Sequence, residues 1–425
     1  RAPHTAPTTF CGRSLPLLLS AKIPCQARML ALLPCATAYS AQARPARSSH
    51  GQHARARSVT LSEGVATTPD TAFAAKKAAL IAGLKREYSS FFSPMEMELY
   101  DPDVSFNDPM VSFTGTSAFK ANVDMLSGGN AVGQLLFDDC GLVMHAVEEE
   151  AERKLTTRWT LQFRFKLLPW KPLAQFTGVS QYTLDADARV VGQQDYWDSV
   201  NLQKGGGYAE MPKTAGFADL LRQLKPSGAE AQTASNRELP YQLLRRADDY
   251  EVRRYPIFVC VRTEYERRLD GIGTLSSYTN GANEASEELL PYVPSLMTIP
   301  TGKWDEYRET TELNAVKVMR WPMAVPALGQ PSPPKPGSRL SEYATLDVVA
   351  SSVVAVKTFS DPTTEPTVRG NVALLRRALR RDGLTPGGTD EAEFRLAQFD
   401  ALNSLNARRS EVWVELLEHP WIDEI

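Results

Sequence analysis

Asp108, His145 and Asp195 are the side chains best suited to moving a proton, because a carboxylate buried near an imidazole can be tuned toward neutral pH. Each has a plainer reading that outweighs this one. Asp108 precedes Pro109 in a turn, His145 stands near the acidic run Glu148-Glu149-Glu150, and Asp195 alternates along a strand whose other face is apolar. No Ser-His-Asp set, phosphate-cradling glycine loop or metal-ligand cluster is visible in the sequence. Cysteines fall at 11, 25, 35, 140 and 260, and Cys140 and Cys260 have neither a CxxC partner nor nearby histidines. That argues against a zinc site and a disulfide framework, and both thiols are expected to be reduced and buried.

The chain that must position these groups has 425 residues, 43% hydrophobic and 23% charged, enough for two folded units plus tails. Its formal net charge of -3 creates no global field to attract nucleic acid or an anionic membrane, so a charge-driven partner must act through a local patch. No segment approaches the ~20 consecutive apolar residues a membrane-spanning helix needs.

Residues 1–62 contain no Asp or Glu, while Arg1, Arg13, Lys22, Arg28, Arg44, Arg47, Arg55 and Arg57 stand among Ala, Ser, Thr and Pro. This is transit-peptide composition, and it implies import into a plastid or mitochondrion; the competing reading is a disordered basic tail.

Residues 68–225 form the first unit. Phe73, Leu80, Leu84, Tyr88 and Phe91 recur at helical spacing until Pro94, and a shorter helix carries Phe119, Val123 and Leu126 before Gly128-Gly129. Leu155, Thr157, Trp159, Leu161, Phe163 and Phe165 alternate with Thr156, Arg158, Thr160, Gln162 and Arg164, which is a strand with one buried face. Strands near Gln175–Leu184 and Arg189–Trp197 meet at Asp185-Ala186-Asp187. Helices followed by a curved antiparallel meander make an α+β cone, whose aromatics Tyr88, Phe92, Trp159, Phe163, Phe165 and Trp197 read as core. The run Leu99-Tyr100-Asp101-Pro102-Asp103-Val104-Ser105-Phe106-Asn107-Asp108-Pro109, the turn at Gly115 and the closing Asp195-Tyr196-Trp197-Asp198 resemble the plant and algal branch of the nuclear transport factor 2-like superfamily. That fold serves as an enzyme pocket, a lipid or pigment pocket, or a dimer surface, so the resemblance does not fix a function.

Gly205-Gly206-Gly207, Pro212 and the polar run to Asn236 have loop composition, and residues 226–237 read as a linker. The second unit spans residues 238–425. Its elements are a strand pair after Tyr250, a helix bearing Leu275 and Tyr278, an extended proline-rich crossing from Pro322 to Pro336, and valine-rich strands near Val348 to Val356. A helix then starts after Thr364 with Val368, Val372, Leu375 and Leu379 inward and Arg369, Arg376, Arg377, Arg380 and Arg381 outward, and a last strand covers Glu411–Leu416. Two such strand–helix halves suggest a pseudo-twofold α+β barrel.

Four motifs in order make this unit resemble the SOUL haem-binding family. They are Tyr250-Glu251-Val252-Arg253-Arg254-Tyr255; Tyr278, Gly281 and Asn283; Met297, Thr298 and Pro300; and Arg408, Arg409, Glu411, Val412 and Trp413. Asp361, Ser410 and the Phe399-Asp400-Ala401-Leu402 loop depart from the family's pattern. The resemblance implies a haem or other tetrapyrrole beside the first helix of the unit, with Leu275, Tyr278, Met297 and Met319 as walls and Arg267 and Arg268 as partners for the ring's carboxylates. His419 is the sole histidine of the unit, so no axial histidine from the early helix is expected; binding is expected by apolar contact with no strong iron ligand, or through Tyr278 or a Met, and no metal-binding residue is assigned. A cone ahead of a SOUL domain is similar to a chloroplast arrangement associated in relatives with plastoglobules or the eyespot. The expectation is a non-catalytic tetrapyrrole carrier, buffer or sensor of the plastid, with peripheral association to lipid globules or thylakoid. The alternatives are a scaffold with a vestigial pocket, or an enzyme acting on an apolar isoprenoid or pigment in the cone.

Overall fold

The computed structural model describes residues 71–226, 237–300, 316–388, 393–399 and 409–421. The basic stretch 1–62, most of the linker, Arg408 and the Asp400-Ala401-Leu402 part of the departing loop lie outside the described residues.

In the first unit, helix α1 (Thr71–Ser89) is followed by strands β1 (Tyr100–Asn107) and β2 (Ser112–Thr114), then helices α2 (Thr116–Leu126) and α3 (Ala131–Leu136). Four long strands come next, β3 (Phe137–Ala151), β4 (Lys154–Phe165), β5 (Leu173–Leu184) and β6 (Val190–Trp197), and then helices α4 (Asp198–Asn201) and α5 (Lys213–Gln223). The sheet order is β2-β1-β6-β5-β4-β3. Alternation decides which side is inside: Leu155, Trp159 and Phe163 of β4 and Phe176 and Tyr182 of β5 join Leu80, Leu84 and Tyr88 of α1 in one core. The six aromatics read as core are in it, Phe165 at its margin. Strand β3, whose polar and acidic C-terminal half hid its alternation, is an element the sequence reading did not foresee.

The second unit repeats one pattern. Strands β7 (Gln242–Arg246), β8 (Glu251–Tyr255) and β9 (Phe258–Tyr265) lead to helix α6 (Arg268–Thr279) and strands β10 (Ser295–Pro300) and β11 (Lys317–Ala324). Then β12 (Ala344–Val349) and β13 (Ser352–Phe359) lead to helix α7 (Glu365–Arg381), strands β14 (Thr385–Pro386), β15 (Glu393–Gln398) and β16 (Ser410–Glu418). The strand order is β12-β9-β11-β10-β15-β16-β13-β8-β7. Exchanging β8-β9-α6-β10-β11 with β12-β13-α7-β15-β16 reproduces the first eight strands in reverse, so the pseudo-twofold falls between β10 and β15. This is the α+β pseudo-twofold architecture expected, with β7 added at one edge. The hydrogen-bonded path runs from β12 to β7 without a ladder joining its ends among the described residues.

Three expectations need correction. Pro322 does not begin the extended crossing: β11 continues through it to Ala324, with a register shift that absorbs the missing N–H. Arg376 is not on the solvated face of α7. It is buried and donates to the carbonyls of Gly387 at 2.8 Å and Gly388 at 3.3 Å, because its long stem reaches past the helix to the β14 loop. Cys260 is buried as expected, but Cys140 is only half-buried near the outer end of β3.

The two units are joined directly by β7, which lies on the outer face of the first unit's sheet. The Arg246 amide donates to Thr177 Oγ1 at 2.7 Å, and its guanidinium donates to the Gln175 carbonyl at 2.7 Å and pairs with Asp219, which is fully buried. Arg245, also buried, stands 3.6 Å from Asp198, whose carboxylate accepts from Thr177 and Tyr208, both at 2.6 Å. The glycine run closes a second contact. Gly205 N–H donates to the Arg381 carbonyl at 2.7 Å, and a Cβ on Gly206, whose φ is +85°, would come within 3.0 Å of the Asp382 carbonyl oxygen.

Candidate functional site

Helix α6 is the element the family resemblance points to. Its inner side is fixed by close packing: a Cβ on Gly271 would lie 3.2 Å from both the Met319 methyl and the Tyr265 ring. Leu275, Tyr278, Met297 and Met319 are brought together here, and Met297 and Met319 are direct cross-strand partners on β10 and β11. All four are core residues, none more than 3% exposed. The Tyr278 hydroxyl donates to the Pro334 carbonyl at 2.6 Å, and burial pushes its pKa up to about 12, so it is a neutral phenol already in use. At the start of α6 Arg267 is exposed, while the Arg268 guanidinium donates to Gln398 Oε1.

The surface α6 offers is its outer face. Leu269 is 69% exposed, Ile272 is half-buried one turn on, and Gly273 has open space where a side chain would stand. These residues were missed at the level of sequence, although Leu269, Ile272 and Leu275 share one apolar spacing that wraps from surface to core. Leu269 and Ile272, with Arg267 and Arg268 at the start of the helix, are the apolar and cationic groups this face presents to a planar ring with carboxylate edges. The face supplies no iron ligand. Among the described residues no group of three or more His, Cys, Asp and Glu gathers as for a metal ion.

The other family motifs are structural. Gly281 takes φ +99° to end α6, and Asn283 Nδ2 ties the following loop by donating to the carbonyls of Tyr278 at 3.0 Å and Glu287 at 2.7 Å. The first and last motifs meet across β8 and β16's shared neighbour β13. Arg253 donates to Glu411 at 3.1 Å and Glu251 at 2.7 Å, Arg409 donates to Glu411 at 2.8 Å, and the Trp413 indole donates to the same carboxylate at 2.9 Å. Burial would raise the Glu411 carboxyl, but Arg253 and Arg409 outweigh it and hold it below the usual range.

The three acid–base candidates do not gather as one set: the Asp108 charge is among the influences that raise Asp195, while His145 stands apart. His145 and Asp195 lie on opposite faces of the first unit's sheet. His145 Nε2 meets Thr160 Oγ1 at 2.8 Å, and Thr160 donates to the Leu243 carbonyl at 2.6 Å, so the imidazole belongs to the contact with β7. Burial, with Arg254 nearby, lowers its pKa to about 4. Asp108 accepts the amides of Met110 and Val111, both at 2.6 Å, as a turn residue does. Asp195 faces inward, accepting from Gln193 Nε2 at 2.9 Å, and burial lifts it to about 7. Nearby, the Trp159 indole donates to Ser180 Oγ at 2.9 Å, and Tyr88 and Tyr182 share a hydrogen bond of 2.9 Å. Glu87, which accepts from the Tyr100 hydroxyl at 2.5 Å, is likewise lifted by burial to about 7. Both acids have folded pKa values above their unfolded ones, so their stabilising effect is complete below about pH 4 and is lost as the pH rises through about 7. Melting temperature is therefore expected to fall over that window, and the fall to shrink in Asp195→Asn with Glu87→Gln. An unchanged slope in the double variant would contradict the assignment. A recess of about 330 Å³ also opens on the outer face of this sheet, lined by polar groups including Asn107, Gln181, Gln194, Tyr196 and Glu210, and is ill suited to an apolar ring.

Residues 236–415 match the family model described as SOUL heme-binding protein. The C-terminal unit is a SOUL domain. Residues 78–192 match a second family model, described as an uncharacterized conserved protein, DUF2358. Ahead of the SOUL domain, solved structures similar to this chain include a putative polyketide cyclase from Silicibacter sp. TM1040, at 11% identity and TM-score 0.26 over 36% of this chain and 96% of that one. A steroid delta-isomerase from Pseudomonas aeruginosa is similar at 15% identity and TM-score 0.23, over 38% and 96%. A nuclear transport factor 2-like protein of unknown function from Cytophaga hutchinsonii is similar at 12% and 0.22, over 29% and 89%. No curated protein matches the chain. The SOUL domain supports a haem or tetrapyrrole-binding role, and no described helix is long and apolar enough to cross a membrane.

Proposed function

We propose that the protein is a non-catalytic tetrapyrrole-binding protein of the plastid, a carrier, buffer or sensor that holds haem or a chlorophyll-type ring and associates peripherally with lipid globules or thylakoid. The observation that carries the reading is the SOUL domain itself, with the arginine-headed, apolar outer face of α6. The ring lies on Leu269 and Ile272, with Arg267 and Arg268 toward its carboxylates, and is held by contact without a strong axial ligand. Titration of the full chain with haemin and with chlorophyll derivatives should shift the Soret band. Leu269→Asp should weaken binding about tenfold or more, because a Leu side chain's burial is worth ~1.5–3 kcal/mol. Met297→Ala and Tyr278→Ala probe the buried wall: a Soret shift that survives both but not Leu269→Asp places the ring on the helix's outer face. No shift with any ring overturns the reading. It would leave the second one, a scaffold with a vestigial pocket, which is favoured by the burial of Leu275, Tyr278, Met297 and Met319 in packed core.

A further inference from the structure

The β4–β5 connection reads Lys166-Leu167-Leu168-Pro169-Trp170-Lys171-Pro172, more apolar than a solvated turn requires. It is held on a frame. Phe165 N–H donates to the Pro172 carbonyl at 3.0 Å, and Lys171 N–H to the Leu168 carbonyl at 2.9 Å. On one side the Trp170 indole donates to the Leu224 carbonyl, at the end of α5, at 2.9 Å. On the other, the Lys166 amide and ammonium donate to the carbonyls of Leu136 and Gln134, at 2.9 and 2.7 Å, tying the loop to α3. Helix α3 turns Val132 and Leu135 outward, 48% and 60% exposed, beside Leu167 at 43% and Trp170 at 37%.

Single exposed apolar residues are ordinary, but four on adjoining, mutually hydrogen-bonded elements form a patch. Its rim is basic. Lys166 and Lys171 belong to the loop, Arg164 precedes it and Lys225 follows Leu224, to which Trp170 is tied, against Asp138 and Asp139, of which Asp139 is paired with Arg164 at 3.2 Å, in a chain whose formal charge is -3 overall. An ammonium has three donors, so Lys166 keeps two for another acceptor. A fixed apolar tip with an indole at its edge and lysines around it matches a headgroup boundary, where indole rings settle and lysine stems reach to phosphate.

We propose that this end of the first unit docks on a lipid surface carrying anionic headgroups, with Leu135, Leu167 and Trp170 entering the boundary and Lys166 and Lys171 meeting the phosphates. The proposal deepens the peripheral-association part of the reading above and does not depend on ring binding. Flotation of the full chain with phosphatidylcholine vesicles containing phosphatidylglycerol tests it. Because residues 1–62 are themselves basic, every comparison is made within the full chain. Leu135→Asp with Leu167→Asp should reduce vesicle partition about tenfold or more, and Lys166→Glu with Lys171→Glu about tenfold, with circular dichroism and haemin titration unchanged. Quenching of tryptophan fluorescence by brominated lipid should fall in Trp170→Phe. Partition equal to the parent chain in both double variants overturns the proposal and assigns lipid binding to another part of the chain. A concentration-dependent dimer abolished by Leu167→Asp, with no vesicle binding, overturns it in favour of a second copy on this face. Loss of haemin binding with lipid docking intact would count against the ring reading alone.

Discussion

Replacing Glu411 by Ala is expected to lower the stability of the SOUL domain by about 3–5 kcal/mol, the range seen when one partner of a buried ion pair is removed. Glu411 is fully buried and receives Arg253, Arg409 and the Trp413 indole at 3.1, 2.8 and 2.9 Å. Arg253 is itself buried and would keep Glu251, whose side chain is partly exposed, as its remaining carboxylate. The pH dependence gives an independent reading. With a folded pKa depressed below its unfolded value near ~4.3, Glu411 contributes stability above that pH and loses it as the pH falls through the lower folded value. Glu411→Gln should therefore flatten the acid limb of the stability profile while costing less than Ala at neutral pH. Denaturant titrations at neutral and acid pH measure both. A change below about 1 kcal/mol for Glu411→Ala would mean that the network is solvated and contributes little.

Replacing Asp219 by Ala is expected to cost about 3 kcal/mol or more and to split a single unfolding transition into two. Asp219 sits in α5 of the first unit and pairs with Arg246 of β7, which belongs to the second unit's sheet. Among the described residues its loss leaves the Arg246 guanidinium with Ser199 Oγ at 3.1 Å, the Gln175 carbonyl at 2.7 Å and the Phe176 ring at 5.9 Å, uncharged partners for a largely buried cation. Arg245 is committed elsewhere: its Nε stands 3.6 Å from Asp198, and its guanidinium carbon lies 5.1 Å from the centre of the Trp421 ring. Calorimetry reads the outcome directly. If Asp219→Ala melts in one transition at the parent temperature, the units do not depend on this pair for their cooperation.

Legibility in the sequence followed the strength of local periodicity. The helices at α1, α2 and α7 and the strands β4, β5, β6, β13 and β16 carry strong 3.6 or 2.0 repeats and stand where those repeats put them. Strand β3 escaped because its C-terminal half is polar and acidic, as a strand with one solvated face can be. Strand β7 escaped because Gln242-Leu243-Leu244-Arg245-Arg246 follows a linker and shows no alternation: a register shift between Leu243 and Arg245 lets it bury side chains toward both units.

The family motifs were legible as residues but not as roles. Arg253 and Glu411 are 158 positions apart, and nothing local shows that they share one buried charge network. Spacing likewise marked Leu275 and Tyr278 as apolar and helical without telling a cleft wall from packed core, because that depends on what the strands across the core supply.

By itself, the sequence determined the α+β class, the order of the two units and the SOUL character of the second half, since these rest on periodicity, composition and motif order along the chain. Only the tertiary structure decided that Leu275, Tyr278, Met297 and Met319 pack as core, that His145 and Asp195 face opposite ways, that Arg376 is buried, and that β7 joins the units. The physical reason is common to all four: burial and charge pairing are set by neighbours brought from far along the chain, and no local pattern encodes which neighbours those are.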